Sequence, residues 1–537
     1  MFRNTTTRLV QFAQPSEVEL NAYPILDKKL TRPHQKLKTL SKYVQQYPTG
    51  WKKRWELANL LYVMGRWSQA VENYCQVLER QPRSIDVRLQ LGKILHLMGR
   101  ESEAIAVYET ALFLCRDLAN RHHLSGAIAV CRRCFYKAAA EFKSAASLKP
   151  DNEAHWHALG QVYLDTESSL AALNAFDVVL SLNPDDLTAL IHSYDLRLAV
   201  GQFQSAWRQL SKATELAPAD LRTVKRLADH RCRIRLVTGE EGKQTRQMIQ
   251  AALQLAPNAA DAHESLAYYY IFRGDWAKGI KVLQQFTEEH PNNPSGWYYY
   301  ARCLFHTGEN QSAVESILKA YSLFPNDCEI YRTLCEILPV AGMTHVPLLE
   351  KERDNVTLAS IVKEMLDRFP ERWSVWATAG RLLTESFQDI ERGCDVSAKG
   401  TQLQPYLADA WFRHGRVLAL AGKHSEAVEV LEKGWHLLPK EEGYLQSVPA
   451  AVWLVESYRI LGDDAASLRW WEQVDWRAKQ LMEFDRATAY YWQGRALSRW
   501  GDRSGAMEAY RTALSQQLLY PARGEVREAM KRLSTKV

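Results

Sequence analysis

No stretch of this 537-residue chain approaches the roughly 18 consecutive apolar residues that a membrane-spanning helix needs. The first 20 residues, MFRNTTTRLVQFAQPSEVEL, lack the apolar centre of a secretory signal. Nine cysteines are scattered without regular spacing, which argues against a disulfide framework and fits thiols kept reduced in a cytosol. These absences set the expectation of a soluble, cytoplasmic protein, neither inserted in a membrane nor secreted. The one-signed charge of a nucleic-acid binder is missing too. Net charge is +6, but residues 1–50 hold eight Lys/Arg against three acids, so the remaining chain is close to neutral.

Catalytic and metal motifs are equally scarce. There is no phosphate-cradling glycine loop and no nucleophile elbow. Acidic residues are many, but they fall on polar faces and in turns. Cys131 and Cys134 form one CxxC, with His122 and His123 upstream. On one helix His123 and Cys131 stand about 12 Å apart by rise, too far to share a zinc ion. The sequence therefore predicts ordinary buried thiols there, no metal, no cofactor and no enzymatic activity.

What the chain does have is a period. In residues 153–186, Trp156, Leu159, Gly160 and Tyr163 share one helical face. A polar break at Asp165–Ser169 leads to Ala172, Phe176, Val179 and Leu180, and Pro184 ends the run. Two such short helices cannot bury their apolar stripes alone, and the chain supplies neighbours. Starts recur at 51, 85, 119, 153, 187 and 221, then at 260, 294 and 328 after a five-residue insertion around Thr238–Gly242. Later units begin near 373, 408, 448 and 487. Small residues at the eighth and twentieth places, such as Gly92, Gly160, Ala104 and Ala172, allow close helix approach. Aromatics at the fourth and twenty-fourth places, such as Trp156 and Phe176, fill the space around them. Glycine at the fifteenth place, as in Gly65, Gly99 and Gly308, suits the turn between helices.

This spacing resembles the tetratricopeptide repeat, a 34-residue helix–turn–helix unit, over roughly residues 51–520. The resemblance implies an all-α, right-handed superhelical solenoid of about 13 units and about 27 helices, with no sheet. First helices would line a concave groove and second helices the outer face. The expected organisation is a flexible arm at 1–32, a capping helix at 33–50, and units one to eight at 51–327. An atypical ninth unit at 328–372 breaks at Pro339, loops through Pro347 and ends in a lengthened helix at Phe369. Units ten to thirteen cover 373–520, the twelfth degenerate, before a C-terminal capping helix and tail at 521–537. The array also resembles the repeat half of protein O-glycosyltransferases. Those carry an α/β catalytic domain after the repeats, which the 17 residues beyond 520 are expected not to contain. They also display asparagines at the sixth place, where this chain has Glu56, Gln90, Leu124, Ala158, His192, Arg226, Ser265 and Tyr299. That activity is not carried over.

Places 2, 5, 9, 12 and 13 of the first helices lie opposite the packing stripe. In unit six Arg222, Lys225, Arg226, Arg231, Arg233 and Arg235 gather with Asp229 as the only nearby acid. Units seven and eight add Arg302 together with Tyr268, Phe272, Tyr298 and Phe305, read as exposed aromatics beside a cationic wall, the composition of a binding hot spot. A ninth-place row follows in Arg302, Arg381, Arg416 and Arg495, suited to carboxylate or phosphate. The competing reading gives each arginine an acid of its own neighbourhood. The basic clamp that some repeat families use for a C-terminal carboxylate has no match in any three consecutive units. The functional expectation is a non-catalytic scaffold or adaptor that holds a protein or peptide partner, with an acidic segment fitting best. One alternative is the regulatory or substrate-binding subunit of a separately encoded enzyme, such as a glycosyltransferase or protease. Nucleic-acid binding through the unit-six patch ranks below both, since a base-reading code wants fixed polar pairs that these places do not keep.

Overall fold

A polar residue recurs just before the first helix of most units and starts it. Ser84, Asp117, Asn152, Asp186, Asp220, Asn293 and Asp327 each accept a backbone N–H from the first turn of the helix that follows. That satisfies a donor with no partner inside the helix. The computed structural model describes residues 33–218, 220–342, 345–346, 356–439, 444–519 and 523–535. The expected arm at 1–32 and the loop at Pro347 lie outside them.

Among the described residues there are 28 helices. The chain opens with α1 (Pro33–Gln46), α2 (Trp51–Val63), α3 (Trp67–Arg80), α4 (Ile85–Leu97), α5 (Glu101–Leu114), α6 (Leu118–Cys131) and α7 (Phe135–Leu148). It continues with α8 (Glu153–Asp165), α9 (Ser169–Leu182), α10 (Leu187–Ala199), α11 (Phe203–Leu216), α12 (Leu221–Arg233), α13 (Gly239–Leu255) and α14 (Ala260–Phe272). Then come α15 (Trp276–Glu289), α16 (Pro294–Thr307), α17 (Asn310–Leu323), α18 (Cys328–Val340), α19 (Leu358–Arg368), α20 (Trp373–Glu385) and α21 (Ile390–Leu403). The last are α22 (Ala408–Leu420), α23 (His424–His436), α24 (Tyr444–Ile460), α25 (Asp464–Leu481), α26 (Arg486–Trp500), α27 (Arg503–Ser515) and α28 (Arg523–Thr535). From α2 to α27 they alternate as first and second helices of paired units.

Within a pair, close approach follows from missing side chains. A Cβ on Gly92 would stand 2.4 Å from the Tyr108 ring, and one on Gly160 would stand 2.8 Å from Phe176. In the turn between the pair, one residue at or beside the fifteenth place of each unit has positive φ, and unit six adds Gly239 at the start of α13. Nine of these are glycines, while Arg133, Glu167, Arg235 and Gln388 adopt it with a side chain (φ 57, 54, 69 and 57). The insertion in unit six is absorbed twice over. The α12–α13 turn widens, and α13 grows to 17 residues against the usual 14.

Unit nine corrects two expectations. Its second helix, α19, is shortened to 11 residues, not lengthened, because Thr357 and Ser360 form a reciprocal capping box that starts it late. Pro339 sits inside the last turn of α18 and does not end it. A two-residue antiparallel pair, β1 (His345–Val346) with β2 (Val356–Thr357), is the sole strand pairing among the described residues of an otherwise all-helical array.

First helices of successive units touch one another, as α12 does α14, α14 does α16 and α20 does α22. They therefore form the inner wall of the coil. The coil then closes on itself. Arg372 Nε donates to the Asp165 carbonyl at 2.9 Å, and Gln404 donates to Ser168 Oγ at 2.9 Å. The Phe203 and Phe484 rings stack at 4.7 Å. Arg233 reaches Asp485 at 2.9 Å, and the Trp276 indole donates to Gln517 at 2.7 Å. The inter-helix turns of units four to seven thus rest on units ten to thirteen, one superhelical turn later.

Candidate functional site

The cationic wall is present, but its charges are matched by carboxylates of the same unit and of neighbouring ones. Lys225 on α12 bridges Asp261 and Glu264 of α14 at 2.8 and 2.9 Å. Glu264 in turn lies 3.7 Å from Arg302 of α16. Glu385 takes Arg381 on its own helix at 2.8 Å and lies 3.6 Å from Arg416 on α22. Glu456 on α24 pairs with Arg495 on α26 at 3.0 Å. Arg226 forks onto Asp195 of the preceding unit, and Arg222 pairs with Asp220 at 3.0 Å. Arg231 pairs with Glu241, and Arg233 with both Asp229 and Asp485. Asp229 is therefore far from the only acid. Asp195, Asp261 and Glu264 stand at inward places of the neighbouring units, where a unit-by-unit reading passes over them. Asp220 caps α12 and Glu241 lies on α13 of unit six itself, while Asp485 lies one superhelical turn on.

Each bridging acid stitches two consecutive first helices. Burial opposes the Lys225 charge, yet Glu264, Tyr299 and Asp261 outweigh it and hold its pKa well above the ordinary lysine value. Tyr268, then Tyr298 and Glu264, do the same for Arg302 against burial. Three of the four ninth-place arginines also lie over rings. Arg302 stands 5.5 Å from Tyr298, Arg416 5.4 Å from Trp453 and Arg495 5.5 Å from Trp492.

The aromatics correct the sequence reading. Tyr268, Phe272 and Phe305 are buried, 9%, 3% and 6% exposed, and only Tyr298 is half-buried. The physical reason is the closure of the coil. Phe272, Phe305 and His306 share a cavity of about 200 Å³ with Asp485, Thr488 and Leu519 from the next superhelical turn. Cys134 is likewise exposed, not buried, while Cys131 is buried.

A larger cavity, about 360 Å³, opens where the α8–α9 turn meets α18, α20 and α22. Arg332, Arg381, Arg413 and Arg416 line it with Glu167, Glu336, Asp409 and Trp373. Arg413 is the most open of these arginines, 45% exposed and 3.5 Å from Asp409. The inner wall thus gathers two of the arginines expected from the ninth-place row, Arg381 and Arg416, in one recess. Arg302 lies in the smaller cavity, and Arg495 lines a third recess against α28. Arg332 and Arg413, at other places of their helices, went unnoticed in the sequence.

No helix among the described residues is long and apolar enough to cross a membrane. Tetratricopeptide-repeat family models match residues 56–119 and 265–327, and a second such model matches 487–517. The chain is 23% identical over 317 residues to the protein CTR9 homolog of Arabidopsis thaliana, covering 53% of this chain and 29% of that protein. It is 24% identical over 193 residues to the peroxisomal targeting signal receptor of Saccharomyces cerevisiae, covering 35% and 32%. It thus spans under a third of the length of these curated relatives. The crystal structure of the APC/C hetero-tetramer Cut9–Hcn1 aligns over 94% of both chains at 13% identity, with a TM-score of 0.40. The chain carries tetratricopeptide repeats, built into an all-helical superhelical solenoid.

Proposed function

We propose that this protein is a non-catalytic, cytoplasmic interaction scaffold whose inner wall holds an acidic segment of a partner protein. The observation that carries this reading is the recess at the α8–α9 turn, where four arginines face one space beside Trp373. Their present partners are the chain's own carboxylates, so an incoming carboxylate binds by displacing one of them, most readily Asp409, which is 25% exposed and can turn to solvent. Arg413 is the natural entry point, being half open and only loosely paired. A flexible acidic segment with apolar residues gains from burying Trp373 at the same time, whereas a uniformly charged polymer does not. The name of one relative, a targeting-signal receptor, accords with peptide capture by such repeats.

Affinity purification with the full chain as bait tests the proposal. Proteins retained by the native chain should be lost with Arg413→Glu and kept with Arg208→Glu, which alters an exposed residue of second helix α11. Retention of the same proteins by both variants would place the partner elsewhere on the solenoid.

A further inference from the structure

The turns at the N-terminal end of the solenoid hold a cluster that the inner wall does not use. His96 lies in the last turn of α4, and Glu101 is the first residue of α5. The chain reverses between them at Gly99, φ +72. Cys131 closes α6 one unit later. Because successive units stack in register, equivalent helix ends lie side by side, and residues 35 apart in sequence become neighbours. His96 Nδ1 is 2.8 Å from Glu101 Oε2 and 3.8 Å from Cys131 Sγ. All three ligand atoms lie within 4.8 Å of one another.

We infer that His96, Glu101 and Cys131 form a binding site for one divalent metal ion of the zinc type. Around tetrahedral zinc, with bonds of roughly 2.0–2.3 Å, neighbouring ligand atoms stand about 3.2–3.7 Å apart. The observed spacings bracket those edges, so small side-chain movements complete the site. A thiolate, an imidazole and a carboxylate together select a borderline-soft cation over magnesium or calcium, which take oxygen ligands. His96 and Glu101 are 34% and 41% exposed, which leaves an entry path and room for water as a fourth ligand. Competing cations are engaged elsewhere, Arg100 with Glu103 at 2.7 Å and Arg132 with Glu109 at 2.8 Å. The CxxC pattern points to the wrong partner. Cys134 is exposed, with its thiol on the Arg132 carbonyl at 3.6 Å, and Cys131 looks back to the preceding unit. A bound ion would staple α4, α5 and α6 together.

The test uses the purified full chain with zinc alone in chelator competition, and with cobalt alone in absorption spectroscopy. The expected result is one ion per chain and a thiolate-to-cobalt charge-transfer band. Cys131→Ser should abolish the band, and His96→Gln should weaken zinc binding at least about tenfold. Cys134→Ser should change neither. Circular dichroism checks that each variant folds, and His96→Gln decides the matter if Cys131→Ser does not. No cobalt band in the native chain, a band that survives Cys131→Ser, or one that is lost with Cys134→Ser overturns the site.

Discussion

Glu167 and Ser374, 207 residues apart, are joined by two hydrogen bonds. The carboxylate accepts the Ser374 backbone N–H at 3.1 Å and its hydroxyl at 2.7 Å. Glu167 does so from a left-handed backbone conformation, φ 54, that glycine occupies in most units. Such a conformation costs a non-glycine residue about 1–2 kcal/mol. The strained side chain is therefore one that reaches the next turn of the superhelix. Arg133, also at positive φ, lies over the Phe369 ring at 5.5 Å in the same manner.

Substituting Glu167→Gly should remove both the strain and the link. Helix content by far-ultraviolet circular dichroism should stay as it is, while the radius of gyration from small-angle scattering rises as the turns separate. An unchanged radius would show that the turns are held without this contact.

Gly160 tests the packing inside a unit. Alanine there would put a methyl 2.8 Å from the Phe176 ring, and overpacking of this kind costs about 1–3 kcal/mol. Denaturant unfolding of Gly160→Ala should show that loss, and adding Phe176→Leu should recover part of it. A neutral Gly160→Ala would contradict the close approach.

Lys225 tests the ladder on the inner wall. Lys225→Met would take from Asp261 and Glu264, 14% and 6% exposed at their side chains, the lysine they share, leaving Arg302 at 3.7 Å as the ion-pair partner of Glu264. Removing one partner of a buried pair costs about 3–5 kcal/mol. The double change Lys225→Met with Glu264→Gln should be less harmful than Lys225→Met alone. Additive losses would mean that the two residues act independently.

Stability should fall with acid in a window set by buried histidine. Burial first and Arg302 second pull His306 from the ordinary 6.5 down to about 3. Below pH 6.5 the unfolded chain takes up a proton there that the folded chain refuses, so stability is full above 6.5 and declines toward 3. The slope is at most about 1.4 kcal/mol per pH unit for this site. His306→Phe should flatten that part of the profile in unfolding measurements between pH 4 and 7. An identical slope in both proteins would mean that His306 protonates freely when folded.

The paired helices were legible because each leaves a local mark. Gly160 above Phe176 and Pro184 after the second helix repeat at fixed distance, so a single unit specifies its own geometry. What lay beyond reach was anything set by stacking. Phe272 and Phe305 occupy inward places and looked exposed, because nothing local announces that Asp485 and Leu519 will close over them. The arginines were found, while their acids were not, since Glu264, Glu385 and Glu456 are recognisable as partners only once consecutive units are superimposed. Glu167 lay in what read only as a polar break between two helices, and its use appears only across 207 residues.

The most direct measurement of the inner wall as a partner site is the affinity of a captured acidic segment, read by isothermal titration at two salt concentrations. Arg413→Ala with Arg381→Ala should weaken it at least about tenfold and flatten its salt dependence, because charge-assisted hydrogen bonds of about 1.5–3 kcal/mol each are lost. The second-helix changes Arg208→Ala, at an exposed residue, and Lys212→Ala, at a half-buried one outside the recess, should leave it unaltered. Equal affinity of the native chain and the Arg413→Ala, Arg381→Ala variant, with both fully folded, would contradict a partner held on the inner wall.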